Sequence, residues 1–384
     1  MFYLVIFGFI LLFSVCNFFS YKKSEVYLSK IFFYIIIFSL IIIGGFRFET
    51  GGDWPGYKIM YYGDKSRAAV EPLFQFIIEI SKLCGSYQWM FFFCELIRFV
   101  TMAIFLERNS SFDRKYKCLF VLLYYVMYFF YYDLVIIRQS TAAAVFIFGI
   151  LKDEKISFKK YIFYVLLATC FHFSSLFLLF MYYPLLKMKE RSLGFITFLF
   201  VVFYFLGFDF LSNLLGIMLK ILPSNFLFTR LYAYTQIAAL ATDRKITGQS
   251  LVYLLTFFTV LFDRIVLKKK GNPLYFRGMS LFIFFYFGFP SLSTISTRLC
   301  TYFSIFVIFS LIEIISIYKK TFFVPVIIIT LCFCFNKGIF FESPSHVAYN
   351  PYQFYWTHEI LGTPSDGAVR LEKTNKANSQ IRGK

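Results

Sequence analysis

The run IFFYIIIFSLIIIGGF at residues 31–46 narrows what this chain can fold into. A stretch of that length with no charge matches a helix inside a bilayer, where backbone amides must be satisfied within the segment itself. Similar runs recur along the 384 residues. Hydrophobic residues make up 59% and charged residues 16%, against about 45–50% and about 25% in soluble domains. The expectation is an all-α, polytopic integral membrane protein with about 12 transmembrane helices, within about 10–14.

Spans are expected at 2–20, 28–46, 87–106, 116–132, 134–151, 158–171, 174–186, 192–208, 248–267, 276–289, 298–318 and 321–336, forming a membrane domain over 1–336. Residues 1–20 lack a basic leader and a small-residue cleavage site, so they are expected to be a first span rather than a signal peptide. Basic residues fall in blocks: Lys22, Lys23 and Lys30, then Arg108–Lys117, Lys152–Lys160, Lys187–Arg191, Arg264–Lys270, and Lys319 with Lys320. Placing these in the cytoplasm puts the N-terminus and the loops 47–86 and 209–247 outside. The second loop is the largest and contains FLSNLLGIMLK and NFLFTRLYAYTQIAAL, expected to lie along the interface. Residues 337–360 form a further external segment, and 361–384 is polar and expected to be disordered.

A net charge of +18 invites a nucleic-acid partner, but the basic residues sit between apolar runs and no basic face alternates with stacking aromatics. Eight cysteines show no zinc spacing, and three histidines form no cluster. G-x-x-x-x-G-K-[ST], D-x-D, G-x-S-x-G and H-E-x-x-H are all missing. Any chemistry must therefore draw on an already activated substrate, with no metal or cofactor.

The informative residues are polar groups at the outer ends of spans. Arg47 lies in FRFETGGDWPGY, Arg138 in DLVIIRQS, His172 in CFHFSS and Arg298 in STISTRLC. Each alone can be a snorkelling residue or pair with an acid such as Glu49 or Asp133. Three arginines and a histidine at one depth, on the side that positive-inside disfavours, point instead to a shared anion site. The planar guanidinium fork suits phosphate or pyrophosphate. Gly51, Gly52 and Gly56 allow an irregular elbow at the membrane boundary. Asp53 in that elbow suits a turn, a partner for Arg47 or a general base, and Trp54 an interface anchor. Glu71-Pro72 has the form of a helix start. Glu95 and Arg98, three apart on one helix, are expected to neutralise each other.

FRFETGGDWPGY, EPLF, IRQSTAAAVFIFGI, ATCFHFSSLF, STRLCTYF and YNPYQFYW occur in the order seen in the EpsG family. The chain resembles these bacterial polysaccharide polymerases, of the Wzy or O-antigen polymerase type, over about residues 40 to 355. Gly-Gly-Asp-Trp stands where Gly-Thr-Asp-Tyr is commoner. The resemblance implies a glycosyltransferase of the bacterial inner membrane, working on its periplasmic face. It would move a growing glycan from undecaprenyl pyrophosphate onto a lipid-linked repeat unit, with a chain-length regulator as protein partner. Arg47, Arg138 and Arg298 would stabilise the leaving pyrophosphate. Asp53 and His172 are both candidates for the base that takes the acceptor proton. Tyr57, Gln139 and the Pro351-Tyr352 pair would line the sugar groove. An O-antigen ligase, a transferase using a lipid monophosphate sugar, and a flippase for lipid-linked glycan are the competing classes.

Overall fold

The computed structural model of the protein describes residues 1–19, 23–63, 70–108, 115–151, 156–221, 246–318 and 324–382. Among them the secondary structure is helical, apart from an isolated bridge between Arg47 and Phe354. Two compact units form: residues 1–179 with 325–384, and residues 180–324.

In the first unit the long apolar helices are Phe2–Phe19, Lys23–Gly45 and Gln88–Arg108. Lys23–Gly45 packs along Gln88–Arg108. Gly44 and Gly45 permit this approach: a Cβ on Gly44 would meet the Glu95 carboxylate at 2.7 Å, and one on Gly45 would meet the Phe92 backbone at 2.9 Å. The helix Lys115–Tyr124 runs through a π turn at Tyr125–Phe129. Such a turn breaks the regular i to i−4 pattern. The Val126 carbonyl accepts from Asn336, the residue at which the Val324–Phe340 helix is kinked. The Ile137–Leu151 and Phe158–Thr169 helices follow, then a 3₁₀ segment at Phe173–Met181.

In the second unit Glu190–Phe205 packs on Pro273–Gly288, with the Thr197 hydroxyl donating to the Ser280 carbonyl at 3.2 Å. Gly248–Ile265 and Ile305–Tyr318 are tied by Arg264 and Glu313 at 2.7 Å. Ser293–Thr301 and Ile305–Tyr318 meet at a 63° bend.

Large apolar side chains such as Val5, Phe38, Phe163, Phe180 and Leu255 are exposed along these helices. A soluble protein would bury most of them, whereas lipid solvates them. Tyr27–Gly45 and Gln88–Arg108 are long and apolar enough to cross a membrane, and the bent pair is a third if it is one span. The other apolar helices are shorter, as in Phe2–Asn17, Tyr116–Tyr132 and Ile137–Leu151. Described helices lie at the expected positions, and the expected count of about 12 spans compares with two, or three with the bent pair, that are long and apolar enough among the described residues.

Two external expectations meet a different outcome or fall outside view. FLSNLLGIMLK forms the helix Phe210–Ile221, while NFLFTRLYAYTQIAAL lies outside the described residues. The tail expected to lack structure holds a helix at Gly367–Arg382. Its polar sequence conceals one seated face: Gly367, Arg370 and Thr374 are buried, and the Thr374 hydroxyl accepts from the Ala348 amide at 2.8 Å.

Candidate functional site

The elbow begins where Lys23–Gly45 ends. From there the chain pairs with a segment some three hundred residues later. The Phe48 amide donates to the Gln353 carbonyl at 2.8 Å, Tyr355 to Phe46 at 2.8 Å and Gly51 to Ala348 at 3.1 Å. Gly51 has φ +93°, and a Cβ there would run into the Leu134 carbonyl. Glycine is needed at that point for both reasons. Arg370 clamps the pairing: its guanidinium donates to the carbonyls of Pro351 at 3.0 Å and Glu49 at 3.4 Å and to Gln353 Oε1 at 3.1 Å. Asp366 neutralises it at 2.7 Å. The elbow then turns at exposed Asp53 into the short helix Trp54–Tyr62.

Arg47 does not face outward. It is 1% exposed, with Nη1 3.6 Å from Glu95 and its guanidinium over the Phe91 ring at 4.5 Å. Glu95 also pairs with Arg98 at 3.1 Å, and Arg98 with Asp133 at 3.1 Å. The Tyr124 hydroxyl donates to Asp133 at 2.9 Å. Gln88 donates to the Gly45 carbonyl at 2.7 Å and to that of Arg47 at 2.8 Å, bracketing the helix end. The structure turns Arg47, expected as a pyrophosphate ligand, into the protein. A charge this deeply buried requires a countercharge, and Glu95 supplies it. The expected Glu95–Arg98 pair is part of a larger set of two arginines and two carboxylates.

Arg138 is placed differently. It opens the Ile137–Leu151 helix, is 22% exposed, and pairs with Glu71 at 2.7 Å. Its guanidinium lies 5.4 Å from the Phe74 ring and 6.0 Å from that of Tyr57, within reach of a cation–π attraction. Glu71 Oε1 accepts from the Phe173 amide at 3.1 Å, and the Leu73 amide donates to the Cys170 carbonyl at 3.0 Å. These contacts bring the His172 turn to Arg138. His172 Nδ1 sits 2.7 Å from the Ser174 hydroxyl. Burial pushes the Tyr57 phenol up to about 12, with Arg138 opposing and Asp53 adding to the shift. Tyr57 is thus a neutral hydroxyl at ordinary pH, and it senses both Asp53 and Arg138.

The structure brings Asp53, Tyr57, Arg138 and His172 into one neighbourhood in this way. Glu71, which has the form of a helix start ahead of Pro72–Leu83, makes no side-chain cap bond there. An acid on the outer side, at the depth of an arginine, was the available signal. Gln139 is 2% exposed and so is turned into the protein rather than toward a groove. The Tyr352 hydroxyl donates to the Ile43 carbonyl at 2.8 Å, and its ring stacks on Phe2 at 4.2 Å. It lines an apolar hollow of about 840 Å³ with Phe2, Val5, Ile6, Phe38 and Ile42. Arg298 belongs to the second unit, half-buried in the last turn of Ser293–Thr301. Among the described residues no group of three or more His, Cys, Asp or Glu side chains could hold a metal ion.

No curated protein and no solved structure matches the chain. The model of the EpsG family matches residues 30–354, which include the elbow, Glu71, Arg138, His172, Arg298 and Tyr352. With the family model covering most of its length, this chain belongs to the EpsG family.

Proposed function

We propose that this protein is a polysaccharide polymerase that transfers a growing glycan from undecaprenyl pyrophosphate to a lipid-linked repeat unit, at the periplasmic face of the bacterial inner membrane. EpsG membership suggests a glycosyltransferase-like or polysaccharide-polymerase function and a membrane location. The observation that carries the finer reading is Arg138, 22% exposed, with the His172 turn and Tyr57 brought to it and Asp53 four residues before Tyr57.

In this reading the acceptor hydroxyl attacks the anomeric carbon of the donor. The bond from that carbon to the pyrophosphate oxygen breaks, and its electron pair leaves with the phosphate. Arg138 meets the charge that develops there, in a setting where water is scarce and fields are strong. Asp53 or His172 takes the acceptor proton. Tyr57 stays protonated and donates to a sugar or phosphate oxygen. The apolar hollow beside Tyr352 has the character needed for part of a hydrocarbon chain. Arg47 anchors the elbow through Glu95 instead of touching substrate.

The test is a gel of surface polysaccharide from a deletion strain carrying wild type or Arg138→Ala, with expression checked. Single repeat units on the lipid A core, in both the deletion and the variant, are the expected outcome. A core without glycan, with long chains accumulating on the lipid carrier, would make the protein a ligase instead.

A further inference from the structure

Glu71 precedes the helix Pro72–Leu83 in extended conformation, yet its carboxylate leaves that helix end uncapped. Its two oxygens go to two other parts of the chain. Oε2 accepts from Arg138 Nη1 at 2.7 Å, and Oε1 accepts from the Phe173 amide at 3.1 Å. Residues 71, 138 and 173 come from three separate segments, and this carboxylate ties its own segment to the other two.

We propose that Glu71 is a positioning residue that holds Arg138 and the His172–Phe173 turn as one unit during sugar transfer. This rests on the polymerase reading above. The rings of Phe74 and Tyr57 attract the Arg138 cation but accept it over a broad face. A carboxylate hydrogen bond fixes the orientation of the fork as well as its position. The pair is shielded, with side-chain exposures of 22% and 13%, but not sealed off, so an anion can still approach Arg138. The backbone bond from Leu73 to Cys170 ties the same two segments independently. Removing the Glu71 carboxylate therefore loosens the fork while leaving the segments joined.

Glu71 has a second effect on the site. It neutralises Arg138 at rest, which weakens the hold on any phosphate equally before and after transfer. Binding that is uniform along the reaction does not accelerate it. Glu71 thus favours release of the lipid pyrophosphate product while keeping Arg138 aimed at the transition state.

The experiment uses the full chain in lipid vesicles, with lipid-linked glycan extracted from the deletion strain as substrate. Glu71→Gln is expected to lower kcat about 100-fold, the scale of a misplaced catalytic group, and KM for the donor should fall by about 2–5-fold, because the hold on phosphate changes equally before and after transfer. Inhibition by added undecaprenyl pyrophosphate should tighten about 2–5-fold, because Arg138 loses a part-exposed countercharge. Glu71→Asp keeps the charge but shortens the reach, so an intermediate kcat with unchanged product inhibition is expected. A wild-type rate in Glu71→Gln overturns the inference. So does a loss of rate with weaker product binding, which is the mark of a damaged fold. If Glu71→Gln does not fold, Glu71→Asp decides: intermediate kcat supports the inference and a wild-type rate sinks it. Arg138→Ala in the same assay separates the two levels. If it too extends glycan normally, the polymerase site itself fails; if it alone loses extension, only the role of Glu71 fails.

Discussion

Arg47 and Arg138 carry the same side chain and are used in different ways. Arg47 is 1% exposed and held by Glu95, whereas Arg138 is 22% exposed and meets Glu71 near the surface. Breaking a buried pair leaves an uncompensated charge, which costs about 3–5 kcal/mol; a part-exposed pair contributes about 1 kcal/mol or less. Glu95→Gln should therefore lower the thermal unfolding temperature in detergent far more than Glu71→Gln does. Equal shifts would mean that the interior set around Arg98 and Asp133 is not a keystone of the fold. Two residues are candidates for the general base. Asp53 is exposed at the start of a helix, and His172 holds Ser174 through Nδ1. Removing the true general base should reduce kcat about 10²–10⁴-fold. Asp53→Asn and His172→Ala, measured side by side on the extracted glycan, are expected to differ by at least ten-fold. The smaller effect marks the residue that only positions.

The elbow and the YNPYQFYW segment form one element assembled from two ends of the chain. Two backbone bonds join them, a third runs from Gly51 to Ala348 just ahead of the segment, and Arg370 from the Gly367–Arg382 helix clamps them. Arg370→Ala removes a 3% exposed guanidinium that serves several carbonyls at once. Amide exchange at Phe48 and Tyr355 should then rise at least ten-fold, while the Gln88–Arg108 helix stays protected. Unchanged exchange would show that the backbone bonds suffice alone. The spans were legible because a bilayer demands an apolar run, and that demand is written residue by residue. Helices 54–62, 355–361 and 367–382 answer to tertiary contacts instead, so their sequences carry no comparable signal. The same holds for the site. Motif order singles out Arg138 and His172 as candidates, whereas the contacts of Glu71 appear only when three distant segments meet. The inward turn of Arg47 was not legible, because sequence gives the depth of a residue along a span and not the direction in which its side chain turns.

At the scale of the whole molecule, the basic blocks set which side is which. Placing them in the cytoplasm puts the elbow outside. It also puts the C-terminal tail outside, where Arg370, Lys373 and Lys376 run against the usual charge bias. The structure accounts for part of that positive charge and ties the tail to the elbow's side. Arg370 is neutralised by Asp366 and reaches the Glu49 carbonyl, and Lys376 pairs with Glu372 at 2.7 Å. The sidedness of the elbow therefore decides that of the tail. A native probe lies close by: Cys84, exposed at the end of the helix Pro72–Leu83, just ahead of Gln88–Arg108. A membrane-impermeant maleimide added to spheroplasts should label Cys84, and a Cys84→Ser variant should lose that label. Labelling only in inverted vesicles would turn the molecule over. Arg138 and His172 would then face the cytoplasm, and a donor displayed on the periplasmic face could not be the substrate. A Cys84 label from outside, together with loss of chain extension in Arg138→Ala, would put the chemistry and the lipid-linked glycan on the same side of the membrane.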